Sequence, residues 1–119
     1  MPSLIEKIKS LAAAYTAETV AHRHHIHQHP ELSFQEFETQ AYVQKQLANM
    51  GIESSPLANT GLVALIKGNK PESRVVALRA DMDALPIWET NDVPYKSQNP
   101  GVMHACGHDE IGRASCRER

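Results

Sequence analysis

Apolar residues recur at helical spacing from the start of the chain, at Leu4, Ile8, Leu11 and Tyr15. Ser3 and Glu6 stand at the head of that run in the spacing of a capping box, in which each side chain satisfies a free backbone N–H of the first turn. The pattern predicts a helix from about residue 4 into the twenties. It ends before Pro30, because proline disfavours helical backbone in the residue ahead of it. Ser33 and Glu36 repeat the capping-box spacing and predict a second helix that runs to about Met50. Gly51 stops it, since glycine takes the left-handed conformation of a helix end without penalty. The apolar positions of this helix (Phe34, Phe37 and Ala41; then Val43, Leu47 and Met50) fall on two faces, which suits packing on more than one neighbour.

The period then changes. Segments 62–66 (LVALI) and 75–78 (VVAL) are short apolar runs with β-branched residues, separated by the turn-forming GNKP at 68–71. They predict two strands paired as a hairpin, and their continuous apolar character suits a sheet covered on both faces. A further short strand is expected near 52–54. No internal repeat or low-complexity linker is present. Between Asp81 and Asp109 the periodicity fades, with Pro86, Pro94, Pro100, Gly101 and Gly107 as punctuation. An irregular segment of that length inside a compact domain points to function. Two helices and two or three strands do not close a sheet, so at least one strand edge should be unpaired.

Composition narrows the class. The 119 residues are enough for one small domain, and 41% hydrophobic with 22% charged residues is ordinary for a globular protein. A net charge of -2 without a basic, aromatic-rich patch excludes a nucleic-acid footprint. No apolar run approaches the ~20 residues that span a bilayer. Lys7 and Lys9 precede a short apolar stretch at 11–14, but Tyr15, Thr16 and Glu18 interrupt it too soon for a signal peptide. Two cysteines, Cys106 and Cys116, make a disulfide framework improbable, so the expected location is the reducing cytoplasm. Trp88, the single tryptophan, reads as a packing anchor in a proline-flanked loop.

The candidate chemistry sits in two motifs that bracket the irregular segment. Asp81 and Asp83 follow directly on the 75–78 run and point to one side if the backbone stays extended. They could ligate a metal, or hold a metal-binding imidazole by accepting its other N–H, or simply be a solvated strand end. Cys106 and His108 share the same i, i+2 relation, with Gly107 letting the backbone bend between them. Thiolate and imidazole are good ligands for zinc or manganese, yet catalytic zinc usually takes three protein ligands and an open position. The run His22, His24, His25, His27 and His29 reads as a polar helix end, with His22, His25 and His29 on one face.

Five segments together resemble a known family: HQHPELSF at 27–34, TGLV at 60–63, RADMDALP at 79–86, NDVPY at 91–95 and NPGVMHACGHD at 99–109. They resemble the N-terminal part of the metal-dependent amidohydrolases that include hippurate hydrolases, N-acyl-amino-acid amidohydrolases and indole-acetyl-amino-acid hydrolases, a branch of the zinc aminoacylase and carboxypeptidase superfamily. The resemblance implies an α/β fold: the incomplete N-terminal part of a mixed-sheet α/β/α metallopeptidase-like catalytic domain. It implies that Cys106 and His108 are two metal ligands and that Asp83 orients a metal-binding side chain. Asp81 occupies a place where many relatives have a histidine ligand. With His104 and Asp109 it is a candidate for the shell behind the ligands. The implied cofactors are two divalent metal ions per site, with zinc, manganese, cobalt and nickel not distinguished by these donor types. The implied substrate is a small N-acyl amino acid or related amide, and the parent enzyme could be homo-oligomeric through a further domain.

After Asp109 the resemblance stops. The family continues with Gly-His, a helix, a glutamate pair carrying the general base and further histidine ligands, whereas this chain reads EIGRASCRER at 110–119. That tail resembles a translated sequencing-library adapter. The expected organisation is residues 1–109 as the N-terminal part of the catalytic domain and 110–119 as a non-native tail, giving a truncated, inactive chain without its general base. Two rivals remain. One is a small metal-binding module with a structural zinc at Cys106 and His108. The other is a cysteine hydrolase using Cys106 with His104 or His108, for which no orienting third group or oxyanion hole stands out.

Overall fold

The computed structural model describes residues 1–70 and 72–110. Helix α1 spans Leu4–Gln28, 25 residues, and opens on the predicted capping box: Ser3 Oγ accepts the Glu6 N–H at 3.2 Å, and Glu6 Oε2 accepts the Ser3 N–H at 2.7 Å. These bonds, backbone first, hold the Glu6 carboxyl below the usual carboxylate range. Residues 1–21 are exposed throughout, so only the last two turns of α1 pack on the rest of the structure.

Helix α2 spans Phe37–Asn49, and its start differs from expectation. Ser33 makes no cap. Glu31 takes that role from farther back, its carboxylate accepting the backbone N–H groups of Glu38 at 3.1 Å and Thr39 at 2.6 Å, and the Thr39 hydroxyl at 2.6 Å. The physical reason lies at Phe34, whose φ of 65° turns the chain away from helical geometry. Phe34 is consequently exposed and lies outside the helix whose apolar face it was expected to join. The far end follows the sequence. Gly51 takes φ 76°, its N–H reaches Ala48 O at 2.9 Å, and Ile52 N–H reaches Leu47 O at 2.9 Å, which is a Schellman motif.

The hairpin also forms in a different register from the predicted one. Strand β1, Ser54–Leu57, pairs antiparallel with β2, Gly61–Ala64, in a two-stranded sheet. The partner of the 62–66 run is thus the further strand expected near 52–54, shifted to begin at Ser54, and 75–78 is in no strand. The local turn wins because Ala58 and Asn59 accept positive φ, at 51° and 69°, and close it in three residues. Gly61 is required there, since a Cβ would lie 2.7 Å from the Leu57 carbonyl oxygen. Gln40 pins the hairpin to α2 by donating to Asn59 O and Gly61 O at 2.9 and 2.7 Å. The sheet is not covered on both faces: no strand residue is buried, and Leu57 and Val63 are exposed, as are Leu65, Ile66, Val75, Val76 and Leu78 of the predicted runs outside it.

The interior is small and mostly polar. Ile26 and Ala84 are the buried hydrophobics among the described residues, against seven buried polar or charged side chains. The segment after residue 80 is tied to the end of α1 and the residues just past it by Gln98 N–H to Gln28 O at 2.9 Å and Ala84 N–H to Glu31 O at 2.8 Å, and to itself by a two-way pair between Leu85 and Met103 at 2.9 and 3.0 Å. Those ties bring the two candidate motifs into one region.

Candidate metal centre

Asp83 lies just before the Leu32–Ala84 bridge, and His108 sits at the end of the Cys106–His108 turn. The bridges and bonds that hold Ala84 and Leu85 carry Asp83 to the turn. Asp83 Oδ1 is 2.8 Å from His108 Nδ1, and the Asp83 carbonyl oxygen is 3.2 Å from the same nitrogen. Both oxygens are acceptors, so Nδ1 carries the proton and donates. In the neutral ring Nε2 then keeps its lone pair, the state in which imidazole binds a metal. Gly107, at φ 91°, supplies the bend beside it, and Cys106 is an exposed free thiol.

Asp81 takes a different direction from Asp83. Its Oδ1 pairs with Arg79 Nη2 at 2.9 Å in a solvent-exposed ion pair, so the two aspartates do not act on one point. His104 is buried, 4% exposed, and neither ring nitrogen has a hydrogen-bond partner. Burial, the largest cause, pushes its pKa down to about 4. The nearby Asp109 opposes this, while His27 and His108 reinforce it and Asp83 again opposes. His104 is therefore neutral at pH 7. Among the described residues no group of three or more His, Cys, Asp or Glu side chains is gathered so as to hold a metal ion. The donor set present is a pair, a thiol and an oriented imidazole, that fits part of a divalent-metal site.

Asp109 is 2% exposed and faces away from solvent toward α1. Its Oδ2 lies 2.8 Å from His27 Nδ1 and 3.5 Å from Arg23 Nε. On the other side of the ring, His27 Nε2 is 3.0 and 3.2 Å from the two oxygens of Glu89. Burial pushes the Glu89 carboxyl up, but the Ser97 N–H at 2.8 Å, His27 and Asn91 together bring it below the usual carboxylate range. His27 stands out in the sequence only as a member of the histidine run and as the first residue of the 27–34 segment, neither of which gives it a role, and Glu89 does not stand out at all.

The rest of the histidine run is a polar helix end whose rings also pack on neighbouring tyrosines, with His25 and His29 exposed. His25 stacks on Tyr42 of α2 with ring centroids 3.9 Å apart, and His22 Nδ1 is 2.7 Å from the Tyr42 hydroxyl. His24 stacks on Tyr95 at 3.7 Å. Trp88 is no anchor: its ring lies over Gly101 but is 72% exposed. The 110–119 tail lies outside the described residues beyond Glu110, and Cys116 with it.

Residues 77–111, which hold both candidate motifs, match Peptidase family M20/M25/M40. An N-acyl-L-amino acid amidohydrolase of Geobacillus stearothermophilus is 50% identical over 105 residues, covering 87% of this chain and 28% of the relative. The chain belongs to the M20 family. An uncharacterized hydrolase of Staphylococcus aureus is 56% identical to this M20 chain over 88 residues, covering 74% of it and 22% of the relative. The Bacillus subtilis YXEP protein, described as a dinuclear metal binding peptidase from the M20 family, superposes with a TM-score of 0.76 at 43% identity, over 82% of this chain and 28% of its own. The two helices and small antiparallel sheet are thus part of the M20 α/β fold. The M20 chain spans about a quarter of the length of these relatives.

Proposed function

We propose that residues 1–109 form the N-terminal part of a metal-dependent amidohydrolase that cleaves N-acyl amino acids or similar small amides, and that Cys106 and His108 are two of its metal ligands. The observation that carries this reading is the 2.8 Å contact between Asp83 Oδ1 and His108 Nδ1, which leaves Nε2 free to ligate two residues from an exposed thiol. The chain's likeness to the Geobacillus N-acyl-L-amino acid amidohydrolase and to the dinuclear metal binding peptidase of Bacillus supports it. Bound divalent ions would supply Lewis acidity and an activated water for amide hydrolysis. Asp83 holds the His108 ring in its ligating tautomer, and Gly107 lets thiol and imidazole turn to one side. The remaining donors and the general base belong, on this reading, to polypeptide beyond residue 109 of the parent enzyme.

The test is to sequence the genomic locus past codon 109 and assay the polypeptide it encodes on N-acetyl and N-benzoyl amino acids. Hydrolysis abolished by chelator and restored by divalent metal is expected. Hydrolysis indifferent to chelators would contradict the proposal and favour a cysteine nucleophile.

A further inference from the structure

We propose that His27 is a positioning residue for the metal-binding turn, its ring clamped between Glu89 and Asp109 so that His108 is presented in one orientation. The inference rests on Cys106 and His108 being the ligand pair. His27 is 5% exposed and belongs to the last turn of α1, while its partners lie 62 and 82 residues away in sequence. Both ring nitrogens are committed, Nδ1 to Asp109 at 2.8 Å and Nε2 to Glu89 at 3.0 Å. Each ring nitrogen therefore faces a carboxylate oxygen within hydrogen-bond distance, and the ring is held from both sides. With no nitrogen left over, His27 neither ligates nor shuttles protons. It can only hold.

What it holds is specific. Asp109 follows His108 directly in the chain, and its carboxylate is held by His27 Nδ1 at 2.8 Å, with Arg23 Nε at 3.5 Å. The turn is therefore gripped twice, at the His108 ring by Asp83 and at the Asp109 side chain by His27. Glu89 is itself fixed by the Ser97 N–H at 2.8 Å, which makes the loop a rigid backstop for the imidazole. A buried imidazole bonded to two buried carboxylates tolerates loss of one partner poorly, because the polar atoms left behind stay buried without that bond.

Two substitutions separate the halves of the clamp. Asn places its amide near the position of Nδ1, so His27→Asn keeps the donor to Asp109. Gln places its amide near Nε2, so His27→Gln keeps only the donor to Glu89. In the metal-free 119-residue chain, long-range proton–nitrogen NMR of the His108 ring reads whether Nδ1–H remains fixed on Asp83. The proposal expects one tautomer in the parent and in His27→Asn, and mixed, mobile tautomers in His27→Gln at equal helix content. Cobalt(II) affinity should fall about ten- to hundredfold in His27→Gln and by less than about threefold in His27→Asn. An unchanged His108 signal in His27→Gln, or equal losses in both variants, would overturn it. A parent chain that binds no cobalt through Cys106 would defeat the ligand assignment, while the metal-free NMR comparison still decides the role of His27.

Discussion

The carboxylate of Asp83 lies 2.8 Å from Nδ1 of His108, across 25 residues of sequence. That contact sets the tautomer of the imidazole and leaves its other nitrogen unprotonated in the neutral ring. Asp83→Ala should lower divalent-metal affinity about ten- to hundredfold, as loss of a carboxylate behind a ligating histidine commonly does. Asp81→Ala, which removes only the exposed pair with Arg79, should leave affinity unchanged. Calorimetric titration with zinc on both variants checks the contrast.

Glu31 replaces the expected Ser33 as the cap of α2, through three hydrogen bonds to Glu38 and Thr39. Glu31→Ala should destabilise the chain by roughly 2 kcal/mol, the scale of charge-assisted bonds at a helix start, whereas Ser33→Ala should change stability by less than about 0.5 kcal/mol. Urea unfolding followed by circular dichroism distinguishes the two.

His104 gives the metal-free chain a pH dependence. Its folded pKa of about 4 lies below the ordinary 6.5, so between those values the unfolded chain binds a proton that the folded chain refuses. Stability is full above about pH 6.5, falls as pH drops toward 4 and then levels. The loss amounts to at most about 3 kcal/mol. His104→Phe should flatten this slope at little cost at pH 7, since neither ring nitrogen has a partner to lose. Thermal melts between pH 4 and 8 measure it.

Gly61 tests the hairpin. An added Cβ would meet the Leu57 carbonyl oxygen at 2.7 Å, and neither atom can swing aside. Gly61→Ala should cost about 1–3 kcal/mol and weaken the β1–β2 amide protection, while Gly68→Ala, with open space around it, should not. Hydrogen exchange reads both.

The helices were legible because their signals are local. The Ser3–Glu6 box and the Gly51 stop depend on residues a turn apart, and both appear where the spacing puts them. The hairpin partner was not, because apolar runs announce strands without announcing which pair. A three-residue turn at 58–60 closes at less entropic cost than the longer 68–71 connection. The contact between Asp83 and His108 was readable from residue types in order. The His27 clamp was not, since it joins three segments that only the fold brings together.

The central claim is that Cys106 and His108 bind a divalent metal together. Cobalt(II) titration of the metal-free chain, followed by near-ultraviolet absorption, tests it most directly because thiolate-to-cobalt charge transfer reports the sulfur itself. The account predicts a weak but saturable band that is lost in Cys106→Ser, diminished in His108→Ala and retained in Cys116→Ser. A band that survives Cys106→Ser, or none at saturating cobalt, would contradict it.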